Sequence, residues 1–168
     1  MSPLKFLTVI ALMVTLGLSA CSGPVPTGKA DRIIIEKSDH RMGLYQGDRL
    51  LVTYTVALGK GGPEAKTREG DGRTPEGRYM ITEHKEDSAF HRALRLSYPN
   101  AEDKERAAKL GLPAGGDIMI HGMRNGLGFL GFMNTWVDWT DGCIAVTNGE
   151  IDEIWSMVDN GTVVDIMH

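Results

Sequence analysis

The sequence predicts a mainly β domain with two short helices. Three observations predict it. From Leu50 to Leu58 the chain alternates, with Leu50, Val52, Tyr54, Val56 and Leu58 on one face and Thr53, Thr55 and Ala57 on the other, the period of a half-buried strand. β-branched and apolar runs recur at Arg32–Lys37, Asp117–Ile120 and Thr162–Met167. Only two stretches carry helix start and stop signals together. With 168 residues, 42% hydrophobic and 24% charged, the chain is long enough and apolar enough for one globular domain with a real core.

Taken in order, the chain opens with Lys5 and an apolar run, Phe6–Leu18, too short to span a bilayer comfortably and flanked like a secretory signal. The run ends in Leu18-Ser19-Ala20-Cys21, which resembles a bacterial lipobox, in which the cysteine is lipidated and the leader cut before it. The expected organisation is a lipoprotein signal peptide over 1–20, a tether over 21–30 and a catalytic-type domain over 31–168. On that reading Cys21 anchors an exported protein to a membrane, facing the periplasm. Ser22 after the cysteine resembles outer-membrane sorting if the cell is Gram-negative.

Within the domain, strands are expected over 32–37 and 41–45, turns at Ser38-Asp39-His40 and Gln46-Gly47-Asp48, and the alternating strand from Arg49, forming an antiparallel meander. Residues 59–77 are too rich in Gly and Pro for regular structure. A strand comes next at 78–82, then a charged, mixed stretch to His91, and a short strand at 94–97. Asn100 starts the first helix, with Glu102 and Asp103 in its first turn, Lys109 in its last and Gly111 as its stop. Asp117–Ile120 is a strand leading into His121. Thr147 and Glu150 form a capping-box pattern for a second helix, with Ile151, Ile154, Trp155 and Val158 on one face and Gly161 expected to end it. Residues 162–167 close the fold as a strand.

Composition and motifs remove several kinds of function. A formal charge of −4 argues against a nucleic-acid partner. Gly126, Gly128 and Gly131 satisfy a G-x-G-x-x-G pattern, but the residues after Gly131 are Phe-Met-Asn-Thr-Trp and carry no helix pattern, so no nucleotide is expected. Ser-x-x-Lys occurs only at Ser2–Lys5, in the leader. Histidine spacing offers no zinc pattern apart from His84 and His91, so neither metal nor other cofactor is expected; His40 and His168 read as surface histidines. What remains is Cys143. If lipidation consumes Cys21, Cys143 stands alone in an oxidising compartment, either buried and inert or kept for its chemistry. Gly142 beside it, polar Thr140-Asp141 before it and His121 upstream favour an activated nucleophile.

Three pieces of sequence then resemble the L,D-transpeptidases with the YkuD-type catalytic domain. They are Gly70-Asp71-Gly72-Arg73-Thr74-Pro75-Glu76-Gly77, Ile118-Met119-Ile120-His121-Gly122 and Thr140-Asp141-Gly142-Cys143-Ile144, and the similarity spans about residues 31–167. The resemblance implies a β-barrel or sandwich with few helices, and peptidoglycan stem peptides as substrate. It implies Cys143 as nucleophile, His121 as general base and acid oriented by a backbone carbonyl, and the N–H groups of Gly142 and Cys143 as oxyanion donors, each worth about 3 kcal/mol. Gly122, Arg124, Thr140 and Asp141 are candidate substrate-binding residues. One departure stands out: Ala145 occupies a position where many members carry arginine. Arg124 is a candidate substitute, or else a solvated loop residue. Without that charge, water could resolve the thioester in place of an amine, giving a carboxypeptidase or crosslink hydrolase. A non-catalytic lipoprotein that binds peptidoglycan stems is the rival of another class. Trp136 and Trp139 are expected to line a lid.

Overall fold

A computed structural model describes residues 28–168. The expected signal peptide, Cys21 and most of the tether lie outside the described residues. Eight strands form one curled sheet: β1 (Ala30–Glu36), β2 (Arg41–Gln46), β3 (Arg49–Thr55), β4 (Gly77–Ser88), β5 (His91–Leu96), β6 (Met119–His121), β7 (Ile144–Ala145) and β8 (Val158–Met167). Their order is β3-β2-β1-β8-β4-β5-β6-β7. The two helices are α1 (Ala101–Lys109) and α2 (Asn148–Met157), with a 3-10 helix at Gly128–Met133. The mainly β half-barrel matches the expected class.

The β1–β2–β3 meander is antiparallel as expected, and β8 returns beside β1 in parallel. The twelve-residue β4 pairs first with β8, over Gly77–Met80, and then with β5, from Ile81 on. It is therefore shared between the two halves of the sheet. Beyond β3 the chain crosses to the far edge, where Ala57 bridges Ala145. This crossing stitches the sheet's two edges together and leaves less open edge for wrong pairing. The core fills the curl. Ile33, Ile35, Met42, Leu44, Leu94 and Ile120 are fully buried, and α2 covers them with Ile151 and Ile154.

Three elements differ from expectation, each for a local reason. The second helix stops at Met157, because Val158 turns extended (φ −111°, ψ 133°) and pairs at once with Ala30. Gly161, at φ +92°, then sits where the β1–β8 register slips, between Ala30/Val158 and Arg32/Val163. It serves a bulge, not a helix stop. The charged stretch before His91 is the outer half of β4, its Thr82, Glu83, Glu86 and Asp87 exposed to solvent. Leu50 is 48% exposed because one extra residue, Leu51, lies between the pairs Leu44↔Val52 and Tyr45↔Leu50 and shifts the phase of the alternation. From Tyr54 through Val56 to Leu58 the predicted face is buried.

The Gly- and Pro-rich loop is ordered by one carboxylate. Asp71 accepts from Lys66 Nζ at 2.8 Å and from the backbone N–H groups of Thr67 (2.8 Å), Arg68 and Arg73 (each 3.1 Å). Burial alone would raise its pKa; the Lys66 ammonium and those N–H groups outweigh it and hold the carboxyl at about 2. The folded-state pKa is depressed, so the stabilisation is fully present above the ordinary carboxylate value of 3.8 and fades as pH falls through about 2. The Lys66 and Asp71 side chains are only 4% and 7% exposed. Asp71→Ala strands the lysine, and is expected to lower unfolding free energy by about 3 kcal/mol in urea titrations at pH 7. An unchanged midpoint would show that the loop does not depend on this carboxylate.

Candidate active site

The site forms where β6 ends and β7 begins. These short strands run parallel, pairing Ile120 with Ile144 and His121 with Ala145. Cys143 therefore lies at the mouth of β7 beside Met119, whose N–H points at the sulfur. Both His121 and Cys143 open on one cavity of about 690 Å³, walled largely by apolar side chains including Phe90, Leu130, Met133 and Trp139.

His121 is 4% exposed and sits between aromatic rings, with Phe90 at 4.6 Å and Trp139 at 5.7 Å between centroids. Its Nδ1 lies 2.7 Å from the Gly122 carbonyl. A carbonyl only accepts, so in the neutral ring Nδ1 carries the proton and Nε2 the lone pair. Burial pushes the His121 pKa down, against a smaller upward pull from the Gly122 carbonyl. Cys143 Sγ donates to the Asp117 carbonyl at 3.4 Å. Burial pushes its thiol up; the Met119 N–H pulls the other way, while the charges of Asp117 and Asp141 add to the rise and Lys66 opposes it. Both shifts favour a neutral resting pair, thiol and imidazole, over thiolate and imidazolium.

Gly142 fixes the position of Cys143. Its φ is +121°, and a Cβ there would lie 2.5 Å from the Arg73 carbonyl. Only glycine allows both. The Asp71-ordered loop is thus the seat on which the Cys143 turn rests. Thr140 holds the turn from within: its hydroxyl donates to the Cys143 carbonyl at 2.7 Å and accepts from the Gly142 N–H at 3.1 Å.

The structure places the other expected residues around this pair. The Gly142 N–H already has a partner, so of the two expected oxyanion donors Cys143 N–H is the one the Thr140 hydroxyl leaves available. Thr140 lines the cavity but is only 4% exposed, its hydroxyl used inside the turn. Gly122 is walled in by Asn148, Ile151 and His91, and contributes its carbonyl to His121 instead of a face to substrate. Asp141 and Arg124 do line the cavity, Asp141 pairing with Lys60 at 2.7 Å. Trp139 lines it as well, while Trp136 lies 67% exposed on the outer surface beside Phe132. His40 is no idle surface residue. Its Nε2 lies 3.1 Å from both carboxylate oxygens of Asp138, which also accepts from Leu58 N–H. His84 and His91 pair with Asn160 and Asp152 respectively, and no group of three His, Cys, Asp or Glu that could hold a metal occurs among the described residues.

Sequence reasoning missed Asn134 and Phe90. Asn134, 2% exposed, donates to the Ala145 carbonyl at 3.0 Å and accepts from Trp139 Nε1 at 3.1 Å, fastening the cavity wall to β7. Asn125 fastens its other end, accepting from His91 N–H and donating to the Ser88 carbonyl. An asparagine in an aperiodic loop gives no local signal of such long-range bonds. The expected arginine position, Ala145, is fully buried, with its N–H and carbonyl both bonded to Ala57.

Strand order, buried histidine and glycine-seated cysteine together define a domain of the YkuD type. The L,D-transpeptidase catalytic domain family matches residues 30–166, and the chain belongs to that family, whose members are enzymes acting on peptidoglycan peptides. Among individual relatives, YafK of Escherichia coli (strain K12) is 30% identical over 161 residues covering 88% of this chain; the chain spans 58% of YafK. Solved structures with the same fold include the helical cell shape determining protein Pgp2 from Campylobacter jejuni, with a TM-score of 0.61 and 24% identity over 86% of this chain and 51% of that one. The L,D-transpeptidase from Xylanimonas cellulosilytica has a TM-score of 0.57 and 16% identity, covering 84% and 62%.

The buried His121 and the partly buried Cys143 give the candidate pair a testable pH dependence. The base must be unprotonated, so Cys143-dependent turnover is expected to fall with acid through a pKa below the ordinary imidazole value of 6.5. In His121→Ala, iodoacetamide alkylation of Cys143 is expected to keep rising past the ordinary thiol value of 9.0. An acid limb centred above 6.5 would contradict the assignment of the base.

Proposed function

We propose that the protein is a cysteine acyltransferase acting on peptidoglycan stem peptides, an L,D-transpeptidase. The observation that carries the reading is the shared cavity at the paired ends of β6 and β7, where an imidazole oriented by the Gly122 carbonyl faces the same space as Cys143. Sγ attacks the carbonyl at the L-centre of the position-three diaminoacid as Nε2 takes the thiol proton. The oxyanion faces the Cys143 N–H. The intermediate collapses, the imidazolium gives its proton to the departing D-Ala amine, and a thioester remains. An amine of a second stem then attacks the thioester and forms the crosslink. The neutral resting pair suits this sequence, because proton transfer accompanies attack instead of preceding it.

A second reading, resolution by water, is supported by Ala145. The buried methyl puts no cation at this strand position to hold an incoming acceptor, so on this reading a carboxypeptidase or crosslink hydrolase uses the same two residues. Incubation with disaccharide tetrapeptide followed by mass spectrometry separates the outcomes. Crosslinked dimer with loss of D-Ala is expected; tripeptide alone would replace transpeptidation with hydrolysis. Cys143→Ala is expected to abolish either product. No product, with Cys143 unreactive towards a carbapenem, would leave a binding protein instead of an enzyme.

We also propose that the chain is exported and lipid-anchored through Cys21, which the lipobox-like Leu18-Ser19-Ala20-Cys21 supports. Cells fed labelled palmitate are expected to incorporate it into the wild-type chain and not into Cys21→Ser. Equal labelling of the two would sink the anchor.

A further inference from the structure

A single cross-strand row runs through the site. Lys85 on β4 pairs with Ala93 on β5, Ala93 with His121 on β6, and His121 with Ala145 on β7. Paired residues on neighbouring strands share a face, and strands lie about 4.8 Å apart, so the Lys85 backbone stands about 10 Å from that of His121. Lys85, Ala93 and His121 all line the cavity, with only the Ala93 methyl on the floor between the two longer side chains. Arg124, three residues beyond His121, lines the same cavity.

The cavity's charges are arranged unequally. Near the thiol, Asp117 is paired with Arg95 and Asp141 with Lys60. Lys85 and Arg124 form no ion pair among the described residues, and the remaining lining is mostly apolar. Two unneutralised cations in such a setting attract an anion more strongly than they would in open water. The cation expected at Ala145, one strand to one side of His121, is thus replaced by a lysine two strands to the other side.

We infer that Lys85 and Arg124 form a carboxylate-binding subsite for the D-centre of the position-three diaminoacid side chain. This rests on the stem-peptide reading above, in which position three is followed by one carboxylate and carries another on its side chain. That of the departing D-Ala lies close to the scissile bond, and so close to His121 and Cys143. The D-centre carboxylate, at the far end of the side chain, matches the two-strand distance of Lys85. The four-carbon lysine stem and the forked guanidinium converge on it from floor and rim, the guanidinium able to bind it through two hydrogen bonds.

Release of D-Ala is measured from disaccharide tetrapeptides carrying either a D-centre carboxylate or the matching carboxamide, with a D-Ala amide as a third substrate. Wild type is expected to prefer the D-centre carboxylate about tenfold in kcat/KM, with the difference in KM. The double variant K85M/R124Q is expected to lose that preference, and K85R/R124K to regain it. Preference retained in K85M/R124Q overturns the subsite. Loss of discrimination only against the D-Ala amide also overturns it, since the cations would then hold the other carboxylate. Should wild type turn over no stem peptide, the rates of Cys143 alkylation by iodoacetate and iodoacetamide decide the matter. A ratio at least about threefold lower in K85M/R124Q keeps the carboxylate subsite and discards the peptidoglycan reading; an unchanged ratio discards the subsite.

Discussion

The contact on which the rest of this site depends is between two backbones. Gly142 sits on the Arg73 carbonyl so closely that a methyl group would overlap it, at a φ that L side chains rarely adopt. Everything around it serves that approach. Asp71 gathers the N–H groups of its own loop so that the Arg73 carbonyl has a fixed place. Thr140 spans the turn, and β7 enters the sheet directly afterwards, parallel to the strand that delivers His121. Cys143 is placed by main-chain atoms with few torsions left to adjust, the kind of support that the proposed acyl transfer requires of a thiol.

The same economy governs protonation. Neither catalytic candidate has a carboxylate partner to make an ion pair of it. The imidazole is oriented by a carbonyl and enclosed by Phe90 and Trp139, and the thiol gives its hydrogen bond to Asp117 O. Burial pushes the two pKa values apart, histidine down and cysteine up. The protein thereby keeps an uncharged pair in a mostly apolar cavity, avoiding the cost of burying two ions before substrate arrives.

Much of this was legible in the sequence, and the boundary runs along a physical line. The meander, both helix starts and the Cys143/His121 pair rest on local signals: period-two alternation, acidic residues in the first turn after Asn100, a capping box at Thr147, and short motifs. What was misread depended on hydrogen bonds that no residue pattern displays, most of them to partners remote in the chain. Leu50 turned outward because of a bulge set by β2, and α2 gave way at Val158 to pairing with β1. Thr140 and Gly142 look like exposed polar donors until their mutual hydrogen bond is seen. Asn134, Asp138 and Lys85 take their roles from strands and loops that no local window contains.

The fastening of the wall between His121 and Cys143 bears on how the cavity exchanges its contents. Asn125 is tied to the β4–β5 turn, Asn134 to β7, and Asp138 to His40 and Leu58. The long excursion is thereby divided into short spans, and the entropy of closing each was settled during folding. The untied span runs from Gly126 to Met133 and contains no charge, with Phe129 and Phe132 turned to solvent. Changes in this arc that spare Gly128 and Gly131, where a Cβ would press on Asn148 and Thr147, therefore touch none of the ties that hold the strand register around His121 and Cys143.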